Sequence, residues 1–143
     1  MPVSWNGLWT ALSIREKFGM RNGEMVILDT NAVIYLLNNQ LASLLTEDEY
    51  SISVITEIEL LSFPRLSDKQ EKILKKFFSD ILIHPLDEYV KNETIALKRT
   101  RKLKTPDAII CATALVNNAT LLTNDKQLLN ISGLHSMPLQ LLP

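Results

Sequence analysis

Five acidic residues stand where apolar, strand-like runs of the sequence end or where helices are predicted to begin: Asp29, Glu57, Glu59, Asp107 and Asp125. Taken singly, three of them have an ordinary structural explanation. Asp29 and Asp125 can cap the helices that follow them, and Asp107 gains from the dipole at a helix N-terminus. Taken together they raise a conflict, because carboxylates about 5 Å apart repel by roughly 3 kcal/mol per pair at an effective dielectric constant of 20. A bound cation would remove that conflict.

The donors in this group are hard oxygen atoms. Asn31, Thr123 and Asn124 stand beside the acids as neutral oxygen donors, and the sequence places neither histidine nor cysteine among them. Such a set favours Mg²⁺ or Mn²⁺ over zinc. His84 and His135 have no partner at ligand spacing, so we interpret both as structural or exposed.

The elements that would bring these acids together alternate between strand and helix from Met25 onward. Strands are predicted at residues 25–28, 51–55, 81–84 and 119–123, with a fifth at 134–137. Helices are predicted at 31–39, 56–63, 67–80, 86–103 and 105–118, with Ser67 and Thr105 as N-caps and Pro106 at the first helical position. This order predicts an α/β fold with a parallel sheet covered on both faces.

A parallel sheet of this kind places its ligand crevice outside the carboxyl ends of the strands. Asp29, Asp125 and one glutamate should therefore meet at one edge, and Asp107 joins them if its helix starts there. Glu57 and Glu59 lie about 200° apart around a helix axis, so at most one of them faces the crevice. The pattern alone leaves open which one.

Composition limits the number of domains and the classes of function that the chain can have. A chain of 143 residues with 46% hydrophobic content suits one domain, and fifteen basic against sixteen acidic residues exclude a strongly basic surface overall. The lone Cys111 stands in an apolar run and is predicted to be a buried small side chain. The sequence shows no secretion signal and no run long enough to span a membrane, so we expect a cytoplasmic protein. Residues 1–24 read as an N-terminal extension, either dispensable or containing a short amphipathic helix.

Four segments in this order resemble the PIN domain, most closely the VapC-type ribonuclease toxins of bacterial toxin–antitoxin pairs. They are ILDTNAVIYLL, SVITEIELL, TPDAIICATAL and LLTND, and the resemblance covers residues 25 to about 139. It implies a three-layer α/β/α sandwich with four to five parallel strands, and a PIN-like nuclease domain over 25–143. One departure is notable, because relatives usually carry a glycine shortly after the second acid, whereas this chain has Ser62, Phe63 and Pro64.

The resemblance also implies roles for particular residues. It selects Glu59 as the second acid, and it makes Asp29, Glu59, Asp107 and Asp125 the ligands of one or two Mg²⁺ or Mn²⁺ ions that activate water against an RNA phosphodiester. The products would carry a 5′-phosphate and a free 3′-hydroxyl. Asn31, Thr123 and Asn124 would hold the carboxylates or water in place. The basic run before the third acid would contact substrate phosphates through Arg99, Arg101, Lys102 and Lys104.

The implied partners are an RNA substrate, an antitoxin protein and a second copy of the chain in a homodimer. Two other functions are compatible with parts of the pattern. One is a catalytically silent PIN-like module that binds RNA or protein. The other is a phosphatase or phosphotransferase of the haloacid dehalogenase type, which needs an aspartate where this chain has Asn31.

Overall fold

The computed structural model describes residues 25–40 and 50–143. Within them the chain forms β1 (Val26–Leu28), α1 (Thr30–Leu37), β2 (Ser51–Ser53), α2 (Val54–Leu61), α3 (Asp68–Ser79), β3 (Leu82–His84), α4 (Glu88–Thr100), α5 (Thr105–Val116), β4 (Thr120–Leu122), α6 (Lys126–Leu129) and β5 (Ser136–Met137). The predicted α/β class and the fifth strand are confirmed.

The five strands form one parallel sheet in the order β3-β2-β1-β4-β5. The central strand β1 pairs with β2 through Ile27 and Ser51, and with β4 through Leu28 and Leu122. Because the strands are parallel, the residues that follow β1 and β4 leave the sheet at the same edge. Asp29 and Thr123 are therefore brought side by side by the register itself.

Helices cover both faces of the sheet, as the predicted three-layer arrangement requires. On one face, α1, α2 and α3 pack against Val26 and Leu28 of the central strand. On the other face, α4, α5 and α6 pack against Ile27. This split follows from the alternation of side chains along a strand, which sends neighbouring residues to opposite faces. Cys111 is fully buried in the second of these layers, as predicted.

Several predicted boundaries are wrong: α1, α2 and α4 each differ from the prediction by two or three residues at one end or both. Two of the differences have a clear local cause. The second strand ends at Ser53 rather than at residue 55, because the Ser53 hydroxyl accepts a 3.1 Å hydrogen bond from the Ile55 amide and starts α2 there. Helix α5 begins one residue early, so Thr105 is its first residue and Lys104 occupies the capping position without a side-chain hydrogen bond. The Ser67 cap is confirmed as a capping box with Gln70.

The prediction for residues 1–24 lies outside the described residues. In the part of the chain that the structure describes, no helix combines the length and apolar character needed to cross a membrane.

Candidate functional site

A cavity of about 680 Å³ lies where the chain leaves β1 and β4. All four acids selected from the sequence line it, each from a different segment of the chain. The lining residues are Asp29, Thr30, Asn31, Ile34, Glu59, Phe63, Pro64, Arg65, Leu66, Gln70, Asp107, Ile110 and Asp125. Among the described residues that line this cavity, four are carboxylates and one is a cation, so its interior is strongly negative.

Asp29 is the most buried of these acids, with 6% of its surface exposed. Its two carboxylate oxygens accept separate hydrogen bonds: one from the Ala32 amide at 2.7 Å, which caps α1, and one from the Thr123 hydroxyl at 2.5 Å. Burial raises the pKa of the Asp29 carboxyl, these two hydrogen bonds lower it, and the carboxylates of Asp107 and Asp125 raise it further. The net shift is upward, so the folded protein holds this charge against an unfavourable environment.

Glu59 is held by a chain of hydroxyl groups. The Thr30 hydroxyl donates a 2.8 Å hydrogen bond to Glu59 Oε1 and lies 3.1 Å from the hydroxyl of the buried Thr56. A hydroxyl has one proton to donate, so Thr56 must donate to Thr30 and Thr30 to Glu59. This chain connects α1 with α2 and fixes the glutamate that the sequence pattern left undecided, while Glu57 does not line the cavity.

Asp107 and Asp125 complete the acidic lining. Asp107 lies in the first turn of α5 and is half-buried, and burial raises the pKa of its carboxyl, with further increases from Asp125 and Glu59 and a decrease from Lys104. Asp125 is exposed and caps α6 by accepting a 2.8 Å hydrogen bond from the Gln127 amide. These mutual electrostatic effects show that the four acids form one charge cluster.

The neutral residues predicted to support the acids are used differently from one another. Thr123 is fully buried and bridges two acids, because its hydroxyl donates to Asp29 and accepts a 3.0 Å hydrogen bond from the Asp125 amide. Asn31 lines the cavity and is exposed. Asn124 does not line it; its side-chain oxygen accepts a 2.7 Å hydrogen bond from the Leu139 amide, which ties down the C-terminal segment.

The donor set of the cavity fits a hard divalent cation, since it offers four carboxylates and the side-chain oxygen of Asn31. Among residues 25–40 and 50–143, however, no group of three or more acidic, histidine or cysteine side chains is arranged to hold a metal ion. Asp29 is fixed by two hydrogen bonds, whereas Asp125 is exposed and Glu59 and Asp107 are half-buried.

The basic residues predicted to contact substrate are Arg99, Arg101, Lys102 and Lys104. None of them lines the cavity, although Lys104 is close enough to lower the pKa of Asp107. The one cation in its described lining is Arg65, which the sequence reasoning missed. The sequence reasoning also gave no separate role to Thr30, and the only sequence signal for its contact with Glu59 is its position next to Asp29. The signal for Arg65 was weaker still, namely the unusual loop that contains Phe63 and Pro64.

His84 is buried and structural, as expected. Its Nε2 lies 2.9 Å from the Ser51 hydroxyl, which donates its own proton to the Val26 carbonyl at 2.8 Å. Ser51 must therefore accept from His84, so Nε2 carries the proton. Burial lowers the pKa of the His84 imidazole.

Comparison with known proteins adds independent information. The family model for the PIN domain matches residues 26–134. A toxin–antitoxin complex from Klebsiella pneumoniae is 28% identical and superposes with a TM-score of 0.62 over 76% of this chain and 94% of that chain. VapBC2 from Rickettsia felis, bound to a DNA fragment from its promoter, is 21% identical with a TM-score of 0.63, over 80% of this chain and 98% of that chain.

VapBC-1 from nontypeable Haemophilus influenzae is 23% identical with a TM-score of 0.61, over 80% of this chain and 97% of that chain. No curated protein matches the sequence significantly. The structural neighbours share the fold, and the family model extends from the first strand to the segment just before the last. On this evidence the chain belongs to the PIN domain family.

Proposed function

We propose that this protein is a Mg²⁺- or Mn²⁺-dependent endoribonuclease, and that it is the toxin of a toxin–antitoxin pair. One observation carries the proposal: four carboxylates from four segments of the chain line a single cavity at the carboxyl ends of β1 and β4. A cluster of this charge is costly unless a cation occupies it. The fold shared with VapBC complexes and the toxin–antitoxin complex from Klebsiella pneumoniae supports the biological role.

The proposed ligands are Asp29, Glu59, Asp107 and Asp125. A divalent ion bound by them would lower the pKa of a coordinated water and offset negative charge at the phosphate. Thr123 would orient Asp29 and the main chain of Asp125, because its hydroxyl contacts both. Thr30 would orient Glu59, and Asn31, an exposed residue of the cavity lining, would contact water or substrate.

The basic residues Arg99, Arg101, Lys102 and Lys104 keep a supporting role in the proposal. They extend from the last turn of α4, which contains Arg99, to Lys104, the residue directly before the helix that carries Asp107. From there they could draw the phosphate backbone of RNA toward the acidic cavity without lining it. Asn124, which binds the Leu139 amide, is proposed to stabilise the loop after β4 rather than to contact the metal.

The proposal is tested by incubating the purified full chain with single-stranded RNA in Mn²⁺ and in EDTA. We expect cleavage with Mn²⁺, products with a 5′-phosphate, and no cleavage with EDTA. Asp29→Asn should abolish cleavage, with a loss of at least about 100-fold, because the amide removes the charge that binds the cation. It should leave the protein folded, because asparagine caps a helix about as well as aspartate.

Asp87→Asn is the matched control. Asp87 caps α4 by accepting a 2.9 Å hydrogen bond from the Val90 amide, as Asp29 caps α1, but it does not line the cavity. Its variant should cut RNA at the wild-type rate. Equal cleavage by Asp29→Asn and wild type would overturn the assigned chemistry. Binding of RNA without any cleavage would favour the silent module instead.

The partner is tested separately. An antitoxin encoded by the reading frame directly upstream should co-purify with this chain and suppress its cleavage of RNA. The mass of the chain alone in gel filtration would show whether it forms the proposed homodimer, which should elute at twice the mass of one chain.

A further inference from the structure

The loop between α2 and α3 contributes four of the nine residues of the cavity lining that are not acids. Phe63, Pro64, Arg65 and Leu66 all line the cavity, as does Gln70 from the first turn of α3. This is the loop in which the sequence departs from the glycine-containing pattern that the family resemblance implies. Its residues therefore give the cavity a lining that departs from the pattern implied by the resemblance, beside the four acids that the same resemblance implies.

The loop holds Arg65 in a defined place. Phe63 and Leu66 pack against the hydrophobic core, and the Leu66 amide donates a 3.3 Å hydrogen bond to the Phe63 carbonyl. This closes a turn with Pro64 and Arg65 at its two central positions, where proline at the first favours the turn. The capping box of Ser67 and Gln70 then starts α3 directly. Arg65 thus extends from a backbone that is anchored on both sides.

Arg65 has no competing ionic partner in the described chain. The ion pairs found in residues 25–40 and 50–143 are Lys75–Glu71, within α3, and Lys76–Asp80, at the end of α3. Neither pair includes Arg65. Arg65 is exposed, so its guanidinium can turn toward an incoming anion. A guanidinium is also the side chain best suited to bidentate contact with phosphate oxygens.

An RNA strand that enters this cavity meets four negative side chains. Its phosphates need positive charge close to the site, and Arg65 is the one cationic residue in the described lining, whereas the run from Arg99 to Lys104 lies outside it. The apolar side chains beside Arg65 offer a surface for the sugar or base, since pockets of this size bind their ligands largely through apolar side chains.

We infer that Arg65 binds a phosphate of the RNA strand inside the cavity and thereby positions it beside the acidic cluster. The inference rests on the proposed nuclease function. It makes Arg65 a substrate-positioning residue, and it predicts that removing the guanidinium weakens binding of the strand even where no chemistry occurs.

The test measures binding of a fluorescently labelled single-stranded oligoribonucleotide by anisotropy, at several KCl concentrations, with the Asp29→Asn chain and with wild type in EDTA. Arg65→Gln should raise the dissociation constant about 10-fold, the loss expected for one charge-assisted hydrogen-bonded contact. It should also reduce the slope of log K against log[KCl] by about 0.7, the value for one phosphate contact on a single strand. Arg65→Lys should keep that slope.

Lys91→Gln is the matched control, because Lys91 is an exposed cation on α4 that does not line the cavity. It removes the same charge and should leave both the dissociation constant and the salt slope unchanged. Thermal melts confirm that each variant is folded. If Arg65→Gln and Lys91→Gln bind RNA with equal affinity and equal salt slope, the assignment of Arg65 is overturned.

The two proposals fail in different ways. Should wild type cleave RNA with Mn²⁺ while Arg65→Gln binds normally, the nuclease stands and the role of Arg65 is refuted. Should wild type bind RNA without cleaving it, and Arg65→Gln lose affinity with the smaller salt slope, the phosphate contact stands and the nuclease proposal fails.

Discussion

Replacing Thr123 with valine tests whether the acidic cavity depends on one buried hydroxyl. Thr123 is fully buried, donates to Asp29 at 2.5 Å and accepts from the Asp125 amide at 3.0 Å. Valine has nearly the same shape but neither donates nor accepts. The substitution therefore removes two hydrogen bonds while leaving the size of the side chain nearly unchanged.

The expected loss follows from the two contacts. A hydrogen bond to a charged acceptor contributes roughly 1.5–3 kcal/mol, and a neutral one in a half-buried position roughly 0.5–1.5 kcal/mol. We therefore expect Thr123→Val to lower the free energy of unfolding by about 2–4.5 kcal/mol, the sum of these two contributions. Thr123→Ser keeps the hydroxyl and deletes one buried methyl group, which costs about 1 kcal/mol.

The assay is urea denaturation of both variants at neutral pH, together with cleavage of single-stranded RNA in Mn²⁺. Thr123→Val should be the less stable and the slower enzyme, because Asp29 loses both its orientation and a hydrogen bond that lowers its pKa. Thr123→Ser should retain most of the activity. If valine is tolerated as well as serine in stability, the hydroxyl does not support the carboxylate, and the reasoning is refuted.

Two further predictions concern buried residues outside the cavity. Because burial lowers the pKa of His84 from 6.5, the unfolded chain takes up a proton that the folded protein resists, so the free energy of unfolding should fall as pH drops below 6.5. His84→Gln should flatten that dependence and His135→Gln should not; equal profiles would contradict it. Burial raises the pKa of Cys111 to about 12, so iodoacetamide should label it only after unfolding in urea, whereas labelling at the same rate in the folded protein would exclude the buried placement.

The position of the acids was predictable because it depends on few variables. Parallel strands must end at a common edge, so an acid within a few residues of the end of a strand falls at that edge whatever the details of packing. Asp29 and Asp125 illustrate this. Both also cap helices, as the purely structural interpretation of each residue predicted. The two interpretations were never exclusive, since a capping carboxylate still has free lone pairs.

Other features depend on single contacts that the strand and helix patterns of the sequence do not reveal. The early end of β2 depends on one hydroxyl, Ser53, which competes for the backbone of a run whose β-branched residues favour a strand. The resemblance selected Glu59 over Glu57, but residue spacing alone left the choice open, because the contact that holds Glu59 comes from Thr30, 29 residues away along the chain. Arg65 lines the cavity because the turn at Pro64 and the packing of Phe63 and Leu66 against the core together determine the path of the loop.

Asp29 shows how the fold separates stability from function. Its capping bond to the Ala32 amide stabilises α1, while burial and two neighbouring carboxylates oppose its charge. Asparagine would keep the cap and remove the repulsion, but it would also remove the charged acceptor of the Thr123 hydroxyl. Because these effects oppose each other, Asp29→Asn should stay close to wild type in stability while losing activity. Alanine would lose the cap as well, at a cost of about 1 kcal/mol. A neutral asparagine would cap this helix equally well, yet the chain carries a charged aspartate. A site that binds a cation requires that charge, and functional sites commonly trade stability for function.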